Sequence, residues 1–278
     1  MSKKIIQLIV CFTIVFNVFA QEKTKETIVE ISTEYGAIKI KLYNETPKHR
    51  DNFIKLVKEG YFDGTLFHRV IQNFMIQGGD PDSKNAPEGK ILGNGGPGYT
   101  IPAEFNKNLY HKRGALAAAR MGDAVNPEKA SNGSQFYIVQ GNKFTKEELD
   151  QFNERRNQQA KQEYFRFFIE KEENKSYKQR IIEAQEKNDA DALKLVFEEL
   201  TPIIEAEFEK SDKKLYYSEE QIEVYTTIGG APHLDMNYTV FGEVIEGMEV
   251  VDKIAAVEKD RYDRPVKDIP MKIKIIQQ

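Results

Sequence analysis

Apolar and polar residues alternate in two neighbouring segments near the start of the chain. Aliphatic residues alternate with acidic and hydroxyl residues over positions 28–34, and after the Tyr35-Gly36 turn they alternate with lysines over positions 38–42. A period of two is typical of strands that bury one face. We therefore predict a β-hairpin over residues 28–43.

A helix and several short strands are predicted after this hairpin. Thr46 is a favoured N-cap residue, and Pro47 fits the first position of a helix. Phe53, Leu56 and Val57 then fall on one helical face. Runs of apolar and β-branched residues predict strands at 65–71, 74–77, 114–119 and 135–139, with a Gly/Pro-rich loop over 80–98.

The pattern changes to a helical period after residue 142. From Thr145 to about Tyr225 there is no glycine, and Pro202 is the one proline. Apolar side chains recur at three- and four-residue intervals over positions 193–208, which indicates an amphipathic helix. Because Pro202 lies inside this stripe, we expect it to kink the helix or to start a new helix capped by Thr201.

The β pattern returns after Gly229-Gly230. We predict strands at 237–244 and 271–276, with a short amphipathic helix over 248–256 between them. Many short antiparallel strands with two helices favour a closed barrel or a sandwich, here interrupted by a helical insert. The predicted bounds are 21–143 and 229–278 for the β domain and 144–228 for the insert.

The first twenty residues have the pattern of a targeting segment. A basic start at Lys3-Lys4 precedes an apolar run of sixteen residues that ends at Ala20. This run is shorter than the roughly 20 residues that a membrane-spanning helix needs. We predict a secretory signal peptide over residues 1–20, cleaved after Ala20, with an uncleaved membrane anchor as the less favoured alternative.

The cysteine content agrees with export. Cys11, the single cysteine, lies within the predicted signal peptide, so the mature chain would carry no free thiol. We expect the mature protein in a bacterial periplasm or outside the cell, without a stable membrane anchor.

The charge balance argues against a nucleic-acid partner. The chain has 40 Lys and Arg against 44 Asp and Glu, and residues 145–222 account for the acidic excess with 14 basic and 20 acidic residues. A nucleic-acid binder usually carries a basic stripe, and none is present. The four histidines show no ligand spacing, so we also expect no metal and no cofactor.

Three segments contain the candidate chemistry. The first reads F-H-R-V-I-Q-N-F-M-I-Q-G-G-D from Phe67, the second reads G-S-Q-F-Y-I from Gly133, and the third contains L-D and T-V-F-G from Leu234. Arg69 lies inside an apolar β segment, and arginine is seldom buried without a partner. Gln77 is a candidate partner for the guanidinium. The alternative interpretation is a structural arginine that bridges to a carboxylate at a barrel end.

These segments resemble the cyclophilin family of peptidyl-prolyl cis-trans isomerases. The first two match its most characteristic stretches, and V-F-G-x-V-x-x-G-M-x-V-V-x-x-I over 240–254 matches a third. The resemblance covers roughly residues 27–141 and 229–276 in family order. It implies a mainly β fold, an eight-stranded antiparallel barrel capped by two helices, to which this chain adds an inserted α-helical segment.

The resemblance also implies roles for individual residues. Arg69 would point a permanent positive charge at the prolyl nitrogen in the twisted state of the peptide bond, and Gln77 would orient it. The matched substrate-binding positions are Phe74, Met75, Ala119, Arg120, Gln135, Tyr137, His233, Leu234 and Tyr238.

Four of these positions depart from common family residues. Tyr137 stands where the family often has Phe, and Arg120 stands where it often has Asn. His233 replaces a common Trp, and Tyr238 replaces a common His. Arg120 needs only its backbone groups for peptide binding, so its side chain is free to differ.

The leading hypothesis is an exported prolyl isomerase that assists the folding of proline-containing polypeptides. A second is a binding module or chaperone that holds such segments with little turnover, with the insert supplying contacts to its clients. A third is a scaffold that docks a protein partner through the insert. The aromatic clusters at 164–168 and 216–217 predict either a small helical bundle or a client surface.

Overall fold

The computed structural model of the protein describes residues 26–211 and 213–278. The predicted signal peptide, residues 1–20, lies outside these ranges. Within them, no helix combines the length and the apolar character that crossing a membrane requires.

Ten strands occur in the described part of the chain. Eight belong to one sheet and two form a small separate ladder. They are β1 Thr27–Thr33, β2 Gly36–Leu42, β3 Arg69–Ile71, β4 Met75–Gly78, β5 Thr100–Ile101, β6 Ala115–Ala118, β7 Ser131–Asn132, β8 Phe136–Val139, β9 Val240–Glu246 and β10 Lys272–Gln277.

The large sheet has the order β10-β1-β2-β9-β6-β8-β4-β3, and every pairing is antiparallel. The sheet curls so that the segments preceding its two edge strands meet. Phe67 N donates to Ile269 O at 3.0 Å, and Met271 N donates to Thr65 O at 2.9 Å. The predicted fold class, mainly β with eight antiparallel strands and an inserted helical segment, is confirmed.

The core lies inside the curled sheet, beneath two helices. In the β1–β2 hairpin Ile31 pairs with Ile38, and both are fully buried. Helix α1, Pro47–Lys58, adds Phe53 to this core. A second helix of the β domain, Met248–Ala255, has a largely buried apolar face. The alternating pattern of β1 and β2 therefore buries one face of each of these two strands, as the sequence indicates.

Helix α1 begins differently from the prediction. Thr46 is the N-cap residue, but its side chain makes no capping hydrogen bond, and its hydroxyl is buried without a partner. The carboxylate of Glu104 takes this role by accepting from the backbone N–H groups of Lys48 at 3.1 Å and His49 at 3.0 Å. The side chain of His49 approaches the same carboxylate at 2.7 Å. A carboxylate some 55 residues away thus satisfies the helix N-terminus.

Four helices connect β8 to β9. They are α2 Lys146–Glu170, α3 Lys175–Glu186, α4 Ala190–Lys210 and α5 Glu219–Thr227, and the second helix of the β domain is accordingly α6. Phe168, Ile181 and Leu200 form the centre of a small core shared by α2, α3 and α4. Tyr225 of α5 packs instead with Tyr110 of the β domain. The domain bounds at 144–228 remain a prediction.

Pro202 does not start a new helix within α4, so the second of the two predicted alternatives is wrong. The helix runs without interruption over 21 residues, and the side chain of Thr201 donates to the carbonyl of Phe197 at 2.7 Å instead of capping a new helix. Pro202 lies on the exposed face, while Leu200 and Ile204 stay buried on the other. Burial of the apolar stripe outweighs the roughly 3 kcal/mol that an internal proline costs.

Two predicted strands are shorter than expected. The strand expected over 65–71 contains regular pairing only from Arg69, with an isolated bridge between Leu66 and Pro270 before it. The strand expected from residue 237 begins at Val240. Asn237 belongs instead to a turn, in which its backbone N–H donates to the carbonyl of Leu234 at 3.1 Å.

Candidate active site

A cavity of about 310 Å³ lies beside strands β3, β4, β6 and β8. The structure brings together nine of the eleven residues that the sequence assigns to catalysis or binding. Those lining the cavity are Arg69, Phe74, Met75, Gln77, Ala119, Arg120, Tyr137, Leu234 and Tyr238.

The strand register explains how these side chains meet. Arg69 pairs with Gln77, Gln77 pairs with Tyr137, and Tyr137 pairs with Ala117 across four neighbouring strands. Directly paired residues of antiparallel strands point to the same face. The next register row, which includes Val70 and its partners, points to the opposite face and is buried in the barrel core. The row that starts with Arg69 therefore faces the cavity.

Arg69 is held loosely from two sides. Its Nη1 atom lies 3.5 Å from Oε1 of Gln77, and its Nε atom lies 3.6 Å from a carboxylate oxygen of Asp263. The side chain remains 42% exposed. An ion pair this long and this exposed stabilises the fold little. The guanidinium thus contacts a carboxylate, as expected for an arginine with a structural role. Because it has five N–H donors, it still presents donors to the cavity.

A chain of side-chain amides sets the orientation of Gln77. The Nε2 group of Gln135 donates to the carbonyls of Gly93 at 2.9 Å and Gly95 at 2.7 Å. Its Oε1 atom therefore accepts from Nε2 of Gln77 at 3.0 Å. This arrangement leaves Oε1 of Gln77 directed at Arg69. Gln135 does not line the cavity; it supports Arg69 through Gln77.

An apolar wall forms the other side of the cavity. Met75 and Tyr137 are buried, and Phe74 and Leu234 are half-buried against the same cluster. Met75 lies two residues before Gln77 on β4, so the two side chains share a face. The ring of Tyr238 meets the Tyr137 ring edge-on at 5.9 Å. The wall can hold an apolar ring next to the guanidinium.

His233 is an exposed residue next to this wall and is not among the residues that line the cavity. Its ring packs 5.4 Å from Phe74 and 6.4 Å from Phe152 of helix α2. Desolvation lowers the pKa of His233, and the neighbouring His111 lowers it further, against an opposing effect of Asp235. The substrate contact expected of His233 stays a prediction, and the ring also connects Phe74 to helix α2.

The side chain of Arg120 is fully engaged by the protein. Its guanidinium stacks 4.5 Å from the centre of the Tyr238 ring, and Nε donates to the carbonyl of Asn237 at 2.7 Å. Nη1 donates to the carbonyl of Met121 at 2.9 Å and to the carboxylate of Asp123 at 2.6 Å. With its side chain only 4% exposed, Arg120 braces the turn that carries Tyr238.

Sequence reasoning missed six residues that line the cavity. Arg264 donates to the carboxylate of Asp268 and to the carbonyls of Pro87 and Lys90. These carbonyls lie about 175 residues away in sequence, so no local pattern signals the contact. The six are His68, Lys90, Leu92, Gly93, Tyr262 and Arg264.

His68 is a buried imidazole at the edge of the cavity. Neither ring nitrogen has a hydrogen-bond partner. Burial lowers the pKa of His68 to about 4, with smaller opposing effects from Asp80 and the Leu66 backbone. The ring is therefore neutral at physiological pH.

Comparison with known proteins places the chain in a family. The family described as "Cyclophilin type peptidyl-prolyl cis-trans isomerase/CLD" matches residues 28–157 and 212–275. The unmatched stretch between them covers most of α2, all of α3 and all of α4. The chain belongs to the cyclophilin-type peptidyl-prolyl cis-trans isomerases, and the predicted family and enzyme class are confirmed.

Two curated relatives and one solved structure illustrate the similarity. A Streptococcus pyogenes protein, named as a bifunctional phosphatase/peptidyl-prolyl cis-trans isomerase, is 31% identical over 246 residues, which are 87% of this chain and 37% of that protein. A Staphylococcus aureus protein named as a peptidyl-prolyl cis-trans isomerase is 29% identical over 88% of both chains. The crystal structure of a Cryptosporidium parvum cyclophilin type isomerase is 21% identical, with a TM-score of 0.51 over 91% of this chain and 99% of that chain. The crystal structure supports the fold.

The burial of His68 predicts a pH-dependent loss of stability. Its folded pKa of about 4 lies below the ordinary 6.5, so the unfolded state takes up the proton first as the pH falls. Stability should decrease from about pH 6.5 down to about pH 4, by about 3 kcal/mol in total, and level off below. Urea unfolding of the wild type and of His68→Gln across this range measures the effect. An equal loss in both proteins would contradict it.

Proposed function

We propose that this isomerase lowers the barrier to rotation about X–Pro bonds by directing the guanidinium of Arg69 at the prolyl nitrogen. Resonance gives a peptide bond a rotation barrier of about 18–20 kcal/mol. In the twisted state the nitrogen loses this resonance and regains a lone pair. A fixed cationic donor stabilises that state more than either planar isomer, which is the condition for catalysis. The observation that carries the proposal is the register row that places Arg69, Gln77 and Tyr137 on one cavity.

In this mechanism the apolar wall binds the substrate, and Arg69 accelerates the rotation. Phe74, Met75 and Leu234 would hold the proline ring while the carbonyl before it rotates. The ring is bound equally in the planar and twisted states, so these contacts lower KM. The Arg69 contact forms only in the twisted state and therefore raises kcat.

Replacing Arg69 by Ala should remove most of the catalysis. We expect kcat for a short X–Pro peptide to fall by about 10²- to 10³-fold, the usual loss when one donor to the transition state is deleted. KM should change little, because the apolar wall is intact. A spectroscopic isomerisation assay on the mature chain measures both constants.

Arg166→Ala is the matched control, since Arg166 is an exposed arginine of helix α2 that does not line the cavity. It should retain wild-type kcat. Equal losses in both variants would contradict a specific role of Arg69. Peptide binding without acceleration by folded wild type would instead favour the second candidate function, a proline-peptide binding module or chaperone with little turnover.

We further propose that the enzyme assists the folding of exported, proline-containing polypeptides. The proposal is supported by the basic start, the sixteen-residue apolar run and the small residue Ala20 at its end. The absence of cysteine after residue 11 fits an oxidising destination. The inserted helices are candidates for contacts with clients or with a partner protein.

Export predicts a processed product outside the cytoplasm. When the full chain is expressed in a bacterium, the mature protein should begin at Gln21 in the periplasmic or extracellular fraction. Leu8→Arg, which interrupts the apolar run, should retain the full-length chain in the cytoplasm. N-terminal sequencing and fractionation measure both outcomes. An unprocessed wild-type chain in the cytoplasm or the membrane would overturn the proposal.

A further inference from the structure

A buried chain of hydrogen bonds connects helix α5 to the wall of the cavity. The hydroxyl of Tyr225 donates to Oδ2 of Asp235 at 2.6 Å. Oδ1 of Asp235 lies 2.9 Å from Nδ1 of His111, and Nε2 of His111 lies 2.9 Å from the hydroxyl of Tyr137. All four side chains are buried. Tyr225 and Tyr137 thus mark the two ends of one continuous polar connection.

The direction of each hydrogen bond follows from the carboxylate. Oδ1 of Asp235 also accepts from the backbone N–H of His111 at 2.8 Å, so it acts as an acceptor and Nδ1 of the imidazole carries its proton. In the neutral ring, Nε2 then accepts from the hydroxyl of Tyr137. Burial raises the pKa of both Tyr137 and Tyr225 well above the ordinary value, which keeps both hydroxyls protonated as donors.

The hydroxyl gives Tyr137 an anchor that a phenylalanine would lack. The Tyr137 ring lines the cavity next to Gln77 in the strand register, and it packs edge-on against Tyr238. Packing contacts are not directional, whereas the hydrogen bond at the far end of the ring fixes the position of its hydroxyl. Buried polar chains in which every member is satisfied fix side-chain positions more strongly than packing alone.

We propose that Tyr225, Asp235 and His111 are positioning residues that fix Tyr137 in the wall that binds the proline ring. Helix α5, which lies between the helical bundle and β9, thereby sets the affinity of the cavity for its substrate. The inference rests on the proposed binding of proline beside Tyr137.

Removing the hydroxyl of Tyr225, at the far end of the hydrogen-bond chain, tests the connection. Tyr225→Phe keeps the ring and deletes the donor to Asp235. We expect KM for an X–Pro peptide to rise about five- to tenfold, the size expected for one buried hydrogen bond. The value of kcat should stay within about twofold, because the ring contact is equal in the planar and twisted states.

Tyr164→Phe is the matched control for this variant. The hydroxyl of Tyr164 also donates to a carboxylate, that of Glu207 at 2.9 Å, but within the helical bundle. This variant should leave KM unchanged. A merely structural role of Tyr225 would lower the melting temperature and leave KM at the wild-type value, which would overturn the proposal.

A double-mutant cycle with Tyr137→Phe tests whether the effect of Tyr225 on KM depends on the hydroxyl of Tyr137. Tyr137→Phe should raise KM by itself, because it removes the anchored hydroxyl. Adding Tyr225→Phe to that background should then change KM no further. Independent effects that multiply in the double variant would contradict a connection through His111 and Asp235.

Failure of this inference is distinguishable from failure of the proposed catalytic role. Titration with an X–Pro peptide gives a Kd that does not depend on turnover, and Tyr225→Phe should raise it by the same factor as KM. Arg69→Ala should lower kcat and leave this Kd near the wild-type value. A raised Kd in Tyr225→Phe together with an unaltered kcat in Arg69→Ala would support the positioning chain and reject the catalytic role.

Discussion

The antiparallel register of β3, β4 and β8 is the constraint on which the site depends. It places Arg69, Gln77 and Tyr137 in one row that faces the cavity, while the alternate row fills the barrel core. A slip of one residue would exchange the two faces and bury the guanidinium among aliphatic side chains. Burial of Val70 and Ile76 therefore enforces the arrangement of the polar row, because a slip of one residue would turn them out of the core.

The loop whose carbonyls hold the side-chain amide of Gln135 has a conformation as constrained as that of the strands. The carbonyl of Gly95 accepts a hydrogen bond from Gln135. A Cβ atom at this glycine would clash with a carboxylate oxygen of Asp80. The same carboxylate accepts from the backbone N–H of Gly93 at 2.5 Å. A side chain at position 95 would displace the loop and release Gln135. The orientation of Gln77, and through it of Arg69, thus depends on backbone packing outside the cavity.

Local patterns indicated the strands and the helical insert, because alternation and helical spacing are short-range signals. The cavity residues followed from the resemblance of three motifs to the cyclophilin family. Local patterns did not indicate features that join distant segments. Glu104 caps a helix some 55 residues away, and Arg264 binds carbonyls about 175 residues away. The partnership of Tyr225 with Asp235 needed the packed position of helix α5. Pro202 was misjudged because its cost is local, whereas the burial that offsets it comes from neighbouring helices.

The central claim is that the charge of Arg69 acts on the bound peptide during rotation, and exchange on the enzyme tests it most directly. Nuclear magnetic resonance exchange spectroscopy of an Ala-Pro peptide can measure the rate at which bound cis and trans forms interconvert. We expect fast interconversion on the wild-type protein. Arg69→Ala should still bind both isomers, with interconversion about 10²- to 10³-fold slower than on the wild-type protein. Equally fast exchange on both proteins would contradict the account.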